Sequence, residues 1–287
     1  MSRVIYHIED RGGQWIYHWM FLLVGGLRKL GTDEFRYGHD GCGKFEQNVD
    51  NYKKELVSKP FYVKWGGMVT PSFELGFQKE CIDIISDQYI PVETIKDDDI
   101  VVNNYGEKIT HLGNGANNFP VEMYEFVKKL FLDRVSLTDI HKNKKYYISR
   151  NKSHTLAGNK LDGANSGIKR RQILNDEELS EMLSKYGVET IFLEDYSVPE
   201  KIDLFKNSSL IISPNSGALV FSVFCDKTNI VELNVDSPHQ LHNQYLEICN
   251  HLDIPYFKFN TEKVDSHDNM NVNVDQLFKF LQENNLI

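Results

Sequence analysis

The second half of the chain alternates short apolar runs with amphipathic segments, and this alternation constrains the fold more than any other feature of the sequence. From about residue 143, strand-like runs occur at 144–150, 188–194, 209–213, 229–234 and 255–260. Segments with helical periodicity lie between and after them, at 174–187, 198–208, 217–225, 239–253 and 273–285. Repeated strand–helix alternation is typical of βαβ units with right-handed crossovers, so the sequence predicts an α/β protein with a parallel sheet.

The first half is less regular. An apolar helix is predicted at 15–30, strands at 61–65 and 81–86, and a helix at 120–135 with Pro120 near its start. The sequence has 287 residues, which is enough for one large domain or two ordinary ones.

Composition indicates a soluble globular protein, with 41% hydrophobic and 25% charged residues. The net charge of −9 argues against a nucleic-acid partner. Four cysteines without CxxC spacing suggest reduced thiols and no zinc site. The apolar stretch at 15–26 is short for a membrane span, which needs roughly 20 residues, and it lacks the pattern of a cleaved signal. We therefore expect no membrane span and a cytoplasmic location.

Polar residues end three of the predicted strands, at Ser149-Arg150, at 213–217 and at 232–234. The carboxyl ends of parallel strands meet at one edge of a sheet, and ligands of such sheets bind there. Their coincidence predicts a binding site at this edge.

The segment "SPNSGA" at 213–218 joins a strand to a helix. The free N–H groups of a helix start suit a phosphate, although an ordinary tight turn would have the same sequence. Arg150, Lys169, Arg170 and Arg171 are candidates for an anion clamp, because a guanidinium binds phosphate oxygens with two hydrogen bonds. The alternative is a solvated basic loop.

Glu232 interrupts a strand that should be buried, and a buried carboxylate is costly unless it is hydrogen-bonded or paired. The two hydroxyls of a ribose would satisfy it, as would a neighbouring arginine. His18 lies in the most apolar helix of the first half. It is either a hydrogen-bonded core residue or a general base at the mouth of a cleft.

No GxSxG, HExxH, GxxxxGK[ST] or GxGxxG sequence occurs, which argues against common hydrolase, zinc-protease, P-loop and dinucleotide-binding functions. A DxD pair that could hold a metal–diphosphate is also missing, apart from an acidic turn at 97–99. These observations favour chemistry without a metal or other cofactor.

The ordered segments "YYISR", "RRQILND", "YGVETIFLEDYSVPEKIDLFKNSSLIISPNSGALVFSVF" and "NIVEL" resemble the family-61 glycosyltransferases over roughly 145–235. The stretch "GGQWIYHWMFLLVGGLRKL" is similar to the family's N-terminal "HW" helix. The resemblance implies a GT-B fold, in which two Rossmann-like domains face each other across a cleft. It implies an acceptor-side domain at 1–140, a donor domain at 141–272, and a final segment 273–287 that packs back on the first domain.

The resemblance further implies an inverting transfer from a UDP-sugar, of the xylose or N-acetylglucosamine class, to a hydroxyl of a glycan or glycoprotein. No metal would take part, and His18 is the first choice for the base. Glu232 would bind the ribose. The remaining donor-side residues would lie at or near the diphosphate: Ser149, Arg150, Arg171, Asn175, Asn215, Ser216, Gly217 and Ala218.

Asn215 departs from the family pattern, which usually has histidine at this position of a "GPHGA" segment. Asparagine still donates a hydrogen bond but carries no charge, so weaker donor binding, a different donor or lost activity could follow. Two alternatives therefore stay open: a non-catalytic nucleotide- or glycan-binding relative, and a different enzyme on a similar sheet, such as an epimerase or phosphatase.

Overall fold

The structure is a computed structural model that describes residues 4–8, 61–65, 77–85, 89–91, 100–103, 121–151, 171–235 and 244–287. The chain divides into two compact units, Met1–Ser136 and Leu137–Ile287. Each unit contains its own β-sheet.

The sheet of the first unit is parallel, with the strand order β3-β2-β1-β4. This order matches the first four strands of a Rossmann fold. Its elements in chain order are β1 (Val4–Ile8), β2 (Phe61–Trp65), α1 (Phe77–Ile85), β3 (Tyr89–Pro91), β4 (Ile100–Asn103) and α2 (Val121–Leu132).

The strand predicted at 61–65 and the helix predicted at 120–135 are confirmed. The strand predicted at 81–86 is wrong, because residues 81–85 belong to helix α1. Cys81 and Ile85, four positions apart, are both buried, whereas Asp83 between them is exposed. This spacing follows the helical period, which the short β-branched run "IDII" concealed.

The second unit alternates strands and helices, as the sequence predicts. Its elements are β5 (Lys145–Ile148), α3 (Asp176–Ser184), β6 (Val188–Ile191), a 3₁₀ turn (Leu193–Asp195), α4 (Val198–Asn207), β7 (Leu210–Pro214), a 3₁₀ helix (Gly217–Phe224), β8 (Asn229–Val235), α5 (Gln244–His251), β9 (Tyr256–Lys263), β10 (Met270–Asn271) and α6 (Val274–Glu283).

The strand order of the second sheet is β10-β9-β8-β7-β5-β6, and all pairs are parallel except β9 with β10. The chain runs from β5 outward to β6, then returns past β5 to add β7 on its other side. The order of the strands therefore reverses between β5 and β7. In doubly wound sheets, such a switch point opens a crevice at the carboxyl ends of the two strands.

One hydrophobic cluster of the second unit covers one face of this sheet. Ile212, Val231 and Leu233 of the central strands are fully buried there. Successive residues of a strand point to opposite faces, so Glu232 lies on the other face, where the 3₁₀ helix and α5 pack against each other.

The terminal helix α6 belongs to the second unit, because Leu277 and Leu281 are fully buried in its core together with Leu179 and Leu183 of α3. The packing of 273–287 on the first domain, which the family resemblance implies, stays a prediction. The boundary between the two compact units follows Ser136, and the domain division after residue 140 stays a prediction.

Candidate functional site

The switch point brings together the residues that follow β5 and β7. Ser149 comes directly after β5, and its N–H donates to the carbonyl of Ile191 at 2.9 Å. Asn215 comes directly after β7, and its N–H donates to the carbonyl of Leu233 at 3.1 Å. Both bonds extend the ladder beyond the strand ends, so the two positions are fixed by the sheet itself.

Asn215 is buried and links two charged side chains. Its Oδ1 accepts a hydrogen bond from Arg171 Nη1 at 3.0 Å, and its Nδ2 donates to Glu232 Oε1 at 2.6 Å. The backbone carbonyl of Asn215 accepts a further hydrogen bond from Arg171 Nη1 at 3.2 Å. The three side chains therefore form a buried relay in the order Arg171–Asn215–Glu232.

Glu232 is 3% exposed and pairs in register with Ser213 on β7 and Lys258 on β9. Burial raises the pKa of its carboxyl group, and the hydrogen bond from Asn215 and the charges of Lys258 and Arg171 only partly offset this. Oε2 has no partner among the described residues. Glu232 is thus a buried carboxylate at the edge of the sheet, and its Oε2 can still accept hydrogen bonds.

Arg171 lies in the left-handed region of backbone space, with φ of 59°. A residue with a Cβ adopts this conformation at a cost of about 1–2 kcal/mol, so other contacts must hold it. Its N–H donates to the carbonyl of His267 at 3.1 Å, while its guanidinium reaches Asn215. The segment 267–272 therefore helps to place this cation at the carboxyl end of β7.

Ser216 precedes the 3₁₀ helix as its N-cap, but its side chain makes no capping hydrogen bond. Its Oγ is buried and has no partner among the described residues. The N–H groups of Gly217 and Ala218 likewise donate to no other described residue, whereas the N–H of Leu219 donates to the Ser216 carbonyl. A hydroxyl and two amides at a positive helix end are left for an external acceptor.

Ser149 is fully buried and its hydroxyl donates to Asp176 Oδ2 at 3.0 Å. Tyr147 donates to the other oxygen of the same carboxylate. Burial and the Asp176 charge together raise the pKa of Tyr147 well above its usual value, so its hydroxyl stays protonated. Ser149 thus fixes the start of α3 against β5. Arg150 follows it and is half-buried.

The side chain of Asn175 is engaged in hydrogen bonds with the C-terminal segment and with α3. Its Nδ2 donates to the carbonyl of Val272 at 2.8 Å, and its Oδ1 accepts from the Val272 N–H at 3.0 Å. Nδ2 also contacts Glu178 Oε2 at 3.1 Å. The Asn175 amide therefore bonds both backbone groups of Val272, as a neighbouring strand would, and joins the start of α3 to the C-terminal segment.

The family model described as Glycosyltransferase 61 matches residues 17–231, which is three quarters of the chain. The match spans most of both compact units and ends one residue before Glu232. The chain belongs to the Glycosyltransferase 61 family. It is accordingly a glycosyltransferase, and the sheet in each of its two units, parallel apart from the β9–β10 pair, has the Rossmann-like character expected of a GT-B protein.

Among solved structures, the glycosyltransferase is similar to E. coli heptosyltransferase WaaC with ADP-2-deoxy-2-fluoro heptose, at 9% identity and a TM-score of 0.34, covering 99% of this chain and 100% of that one. It is similar to the same enzyme with ADP at 9% identity and a TM-score of 0.34, covering 99% and 98%. Both likenesses are too slight to bear on ligand or reaction. A comparison with curated proteins found no match.

Three candidate residues of this glycosyltransferase, His18, Lys169 and Arg170, fall outside the described residues, as does the helix predicted at 15–30. Within the described ranges, no group of three or more His, Cys, Asp or Glu side chains could hold a metal ion. None of the helices in those ranges is both long and apolar enough to cross a bilayer. Cys81, Cys225 and Cys249 are buried free thiols.

The C-terminal contribution to the candidate site was not predicted from the sequence. Gln172 donates its N–H to Asn269 Oδ1 at 2.9 Å, across 97 positions of the chain. Asp176, which fixes both Tyr147 and Ser149, was also missed. An acid in the first turn of a helix is ordinarily explained by the helix dipole alone, and no local pattern marks contacts of such long range.

The assembled groups are complementary to an anion bound next to a polyol. A guanidinium, a buried hydroxyl and the amides of a helix start can all donate to phosphate oxygens. The Glu232 carboxylate can only accept while it is ionised, so it suits hydroxyl donors. This pairing of donors and acceptor lies at the switch point of the second sheet.

Proposed function

We propose that the protein transfers a sugar of the xylose or N-acetylglucosamine class from a UDP-sugar to a hydroxyl of a glycan or protein-linked glycan. In this proposal the anomeric configuration inverts and no metal takes part. The switch point of the second unit is the donor site. The observation that carries this proposal is the relay Arg171–Asn215–Glu232 beside a helix start whose donors have no described partner.

The donor diphosphate would lie against Arg171, the Ser216 hydroxyl and the amides of Gly217 and Ala218. Negative charge grows on the β-phosphate as the bond to the sugar breaks, so donors fixed before the reaction stabilise the transition state. The guanidinium is anchored by Asn215 through one nitrogen, Nη1. Such an anchor reduces the entropy lost when the cation binds phosphate.

The uridine ribose would donate its two hydroxyls to Glu232, one strand away from the diphosphate. The carboxylate is buried and already holds a hydrogen bond from Asn215 on Oε1. Buried carboxylates are stabilised by further donors, and a diol supplies two at once. Ser149, Arg150 and Asn175 would act by holding the surrounding loops.

His18 would serve as the general base. It would take the proton of the acceptor hydroxyl while that oxygen attacks C1 of the sugar from the face opposite UDP. The new C1–O bond forms as the bond to the diphosphate oxygen breaks, and UDP leaves as the anion held by the second unit. Inversion at C1 follows from this single displacement.

The donor site is tested by titrating UDP into the full chain and into Arg171→Ala by calorimetry. Loss of a charge-assisted hydrogen bond to phosphate should weaken binding by about tenfold or more. Lys279→Ala is the matched control, because Lys279 is exposed on α6 and pairs with Glu283. Equal UDP affinity in Arg171→Ala and the unsubstituted chain would exclude Arg171 from the site.

Turnover is tested with the purified chain and a set of UDP-sugars, in the presence of EDTA, with NMR of the product's anomeric proton. The proposal expects undiminished transfer with inverted configuration. His18→Ala should lose transfer by about 10²–10⁴-fold while its UDP affinity is unchanged, because the base acts on the acceptor. Retained turnover would remove His18 from the base role, and binding without any transfer would favour a non-catalytic relative.

A further inference from the structure

We propose that the segment 265–272, which lies beyond the family match, is a positioning element for Arg171, and that Asn269 is its central residue. The inference rests on the proposed donor site, because it concerns how the guanidinium there is held. Asn269 itself is a positioning residue and contacts no substrate. Its effect on donor binding should pass entirely through Arg171.

Six hydrogen bonds join 171–175 to 267–272. Three are between backbone groups: Arg171 N–H to His267 O at 3.1 Å, Met270 N–H to Gln172 O at 2.8 Å and Leu174 N–H to Met270 O at 2.9 Å. The other three use asparagine side chains: Gln172 N–H to Asn269 Oδ1 at 2.9 Å, and both groups of Asn175 to Val272. The path of the chain from Arg171 to Asn175 is therefore set by the C-terminal segment.

Asn269 is 7% exposed, and its amide is held at both ends. Oδ1 accepts from the Gln172 N–H, while Nδ2 donates to Asp265 Oδ2 at 2.8 Å. Asp265 Oδ1 accepts from the N–H groups of His267 and Asn269 at 2.8 and 3.2 Å. Asp265 thus holds the turn in place, and the turn positions the Asn269 side chain to bond Gln172, the residue after Arg171.

The segment is itself rigidly supported. Asp268 is fully buried, has φ of 59° and forms an ion pair with Lys263 at 2.7 Å. Asn273, the next residue after the segment, caps α6 by accepting from the Gln276 N–H at 3.0 Å. The turn is therefore fixed between β9 and a helix of the core, which lets it hold Arg171 in a conformation that its own backbone disfavours.

The test is a double-mutant cycle on UDP affinity in the full chain, measured by calorimetry. Asn269→Ala removes the acceptor for the Gln172 N–H and should weaken UDP binding by about fivefold to tenfold, the effect of one lost hydrogen bond. In the Arg171→Ala background the same substitution should leave UDP affinity unchanged, because no guanidinium remains to be positioned.

Asn271→Ala is the matched control, since Asn271 is an exposed asparagine in β10 two positions away. It should bind UDP like the unsubstituted chain. Thermal unfolding verifies that each variant is folded. If Asn269→Ala does not fold, Asp265→Ala takes its place in the cycle, because it releases the same turn and leaves Asn269 in place.

The outcomes separate the two proposals. If Arg171→Ala weakens UDP binding but Asn269→Ala does not, the positioning role is overturned and the donor site stands. An equal loss from Asn269→Ala with and without Arg171 also overturns the positioning role, because the effect then has another route. If Arg171→Ala leaves UDP affinity unchanged, the donor site falls, and the positioning role falls with it.

Discussion

At the scale of single residues, Asn215 determines the electrostatics of the candidate site. It gives Arg171 an acceptor and Glu232 a donor without adding a charge of its own. A histidine at this position could be protonated near neutral pH and would compete with Arg171 for Glu232. With asparagine, the state of the relay depends on Glu232 alone, and this can be measured.

Glu232→Gln should change how stability depends on pH. The pKa of Glu232 is raised in the folded chain, mainly by burial, so the folded state holds this proton more tightly than the unfolded state. The stability that the protonated Glu232 carboxyl contributes is fully present below its ordinary pKa of 4.5. This stability is lost as pH rises through the pKa of Glu232 in the folded chain. Glutamine keeps an acceptor for Asn215 and does not ionise. We therefore expect the free energy of unfolding of Glu232→Gln, relative to that of the unsubstituted chain, to increase as pH rises. Urea denaturation from pH 4 to pH 8 measures this difference.

Glu200→Gln provides a control of opposite sign. Hydrogen bonds from the side chain and backbone of Ser197 lower the pKa of Glu200, so its contribution exists above the ordinary value and is lost as the solution becomes acidic. Glu200→Gln should have a lower free energy of unfolding than the unsubstituted chain, and the difference should be largest at neutral pH. A Glu232→Gln variant whose stability follows the pH profile of the unsubstituted chain would show that the carboxyl is not desolvated.

The members of the relay could be named from the sequence, but their contacts could not. Asn215 and Glu232 were predicted because polar residues at the ends of apolar strands are conspicuous, and the alternation of strands places those ends at one edge. The bond from Arg171 to Asn215 spans 44 positions and depends on a left-handed residue. No periodicity encodes that conformation, because tertiary contacts impose it.

At the scale of elements, burial explains which predictions are confirmed. β7 is buried along its whole length, as a central parallel strand must be, and its apolar run at 210–212 made it easy to recognise. β10 has two residues, and its pairing with β9 and with Ile173 depends on contacts distant in the chain, so no pattern in the sequence predicted it. The helix predicted at 217–225 is confirmed as helical, in the tighter 3₁₀ form.

Helix α4 shows a start signal that is strong in the sequence and complete in the structure. Ser197 Oγ accepts from the Glu200 N–H at 3.4 Å, and Glu200 Oε2 accepts from the Ser197 N–H at 2.7 Å. Ser197→Ala should lower the free energy of unfolding by about 1 kcal/mol. Chemical denaturation of the purified variant measures this.

Ser184→Ala is the matched control for that prediction. Ser184 ends α3, and its hydroxyl donates to the carbonyl of Glu181 at an exposed position. That carbonyl is accessible to water, so the substitution should change stability by less than about 0.5 kcal/mol. Equal losses from the two substitutions would mean that the capping box does not stabilise α4.

At the scale of the whole molecule, the described parts of the proposed donor site lie in one compact unit. Every described residue from Ser149 to Glu232, and the segment 265–272 that supports Arg171, falls within Leu137–Ile287. The core of this unit includes α6, which closes over α3 through Leu277 and Leu281. A unit with its own sheet, core and ligand groups meets the requirements for independent folding.

The fragment 137–287 should therefore fold by itself and bind UDP with the affinity of the full chain, yet transfer no sugar because the proposed base, His18, is missing.

A shorter fragment that ends at residue 272 should not fold. It lacks α6, and the loss of Leu277 and Leu281 uncovers Leu179 and Leu183, each buried leucine being worth about 2–5 kcal/mol against a total of about 5–15 kcal/mol. Circular dichroism and UDP calorimetry on both fragments measure this. A folded 137–272 fragment that binds UDP would show that α6 is dispensable to the donor unit, and a folded 137–287 fragment without UDP affinity would show that residues before 137 complete the site.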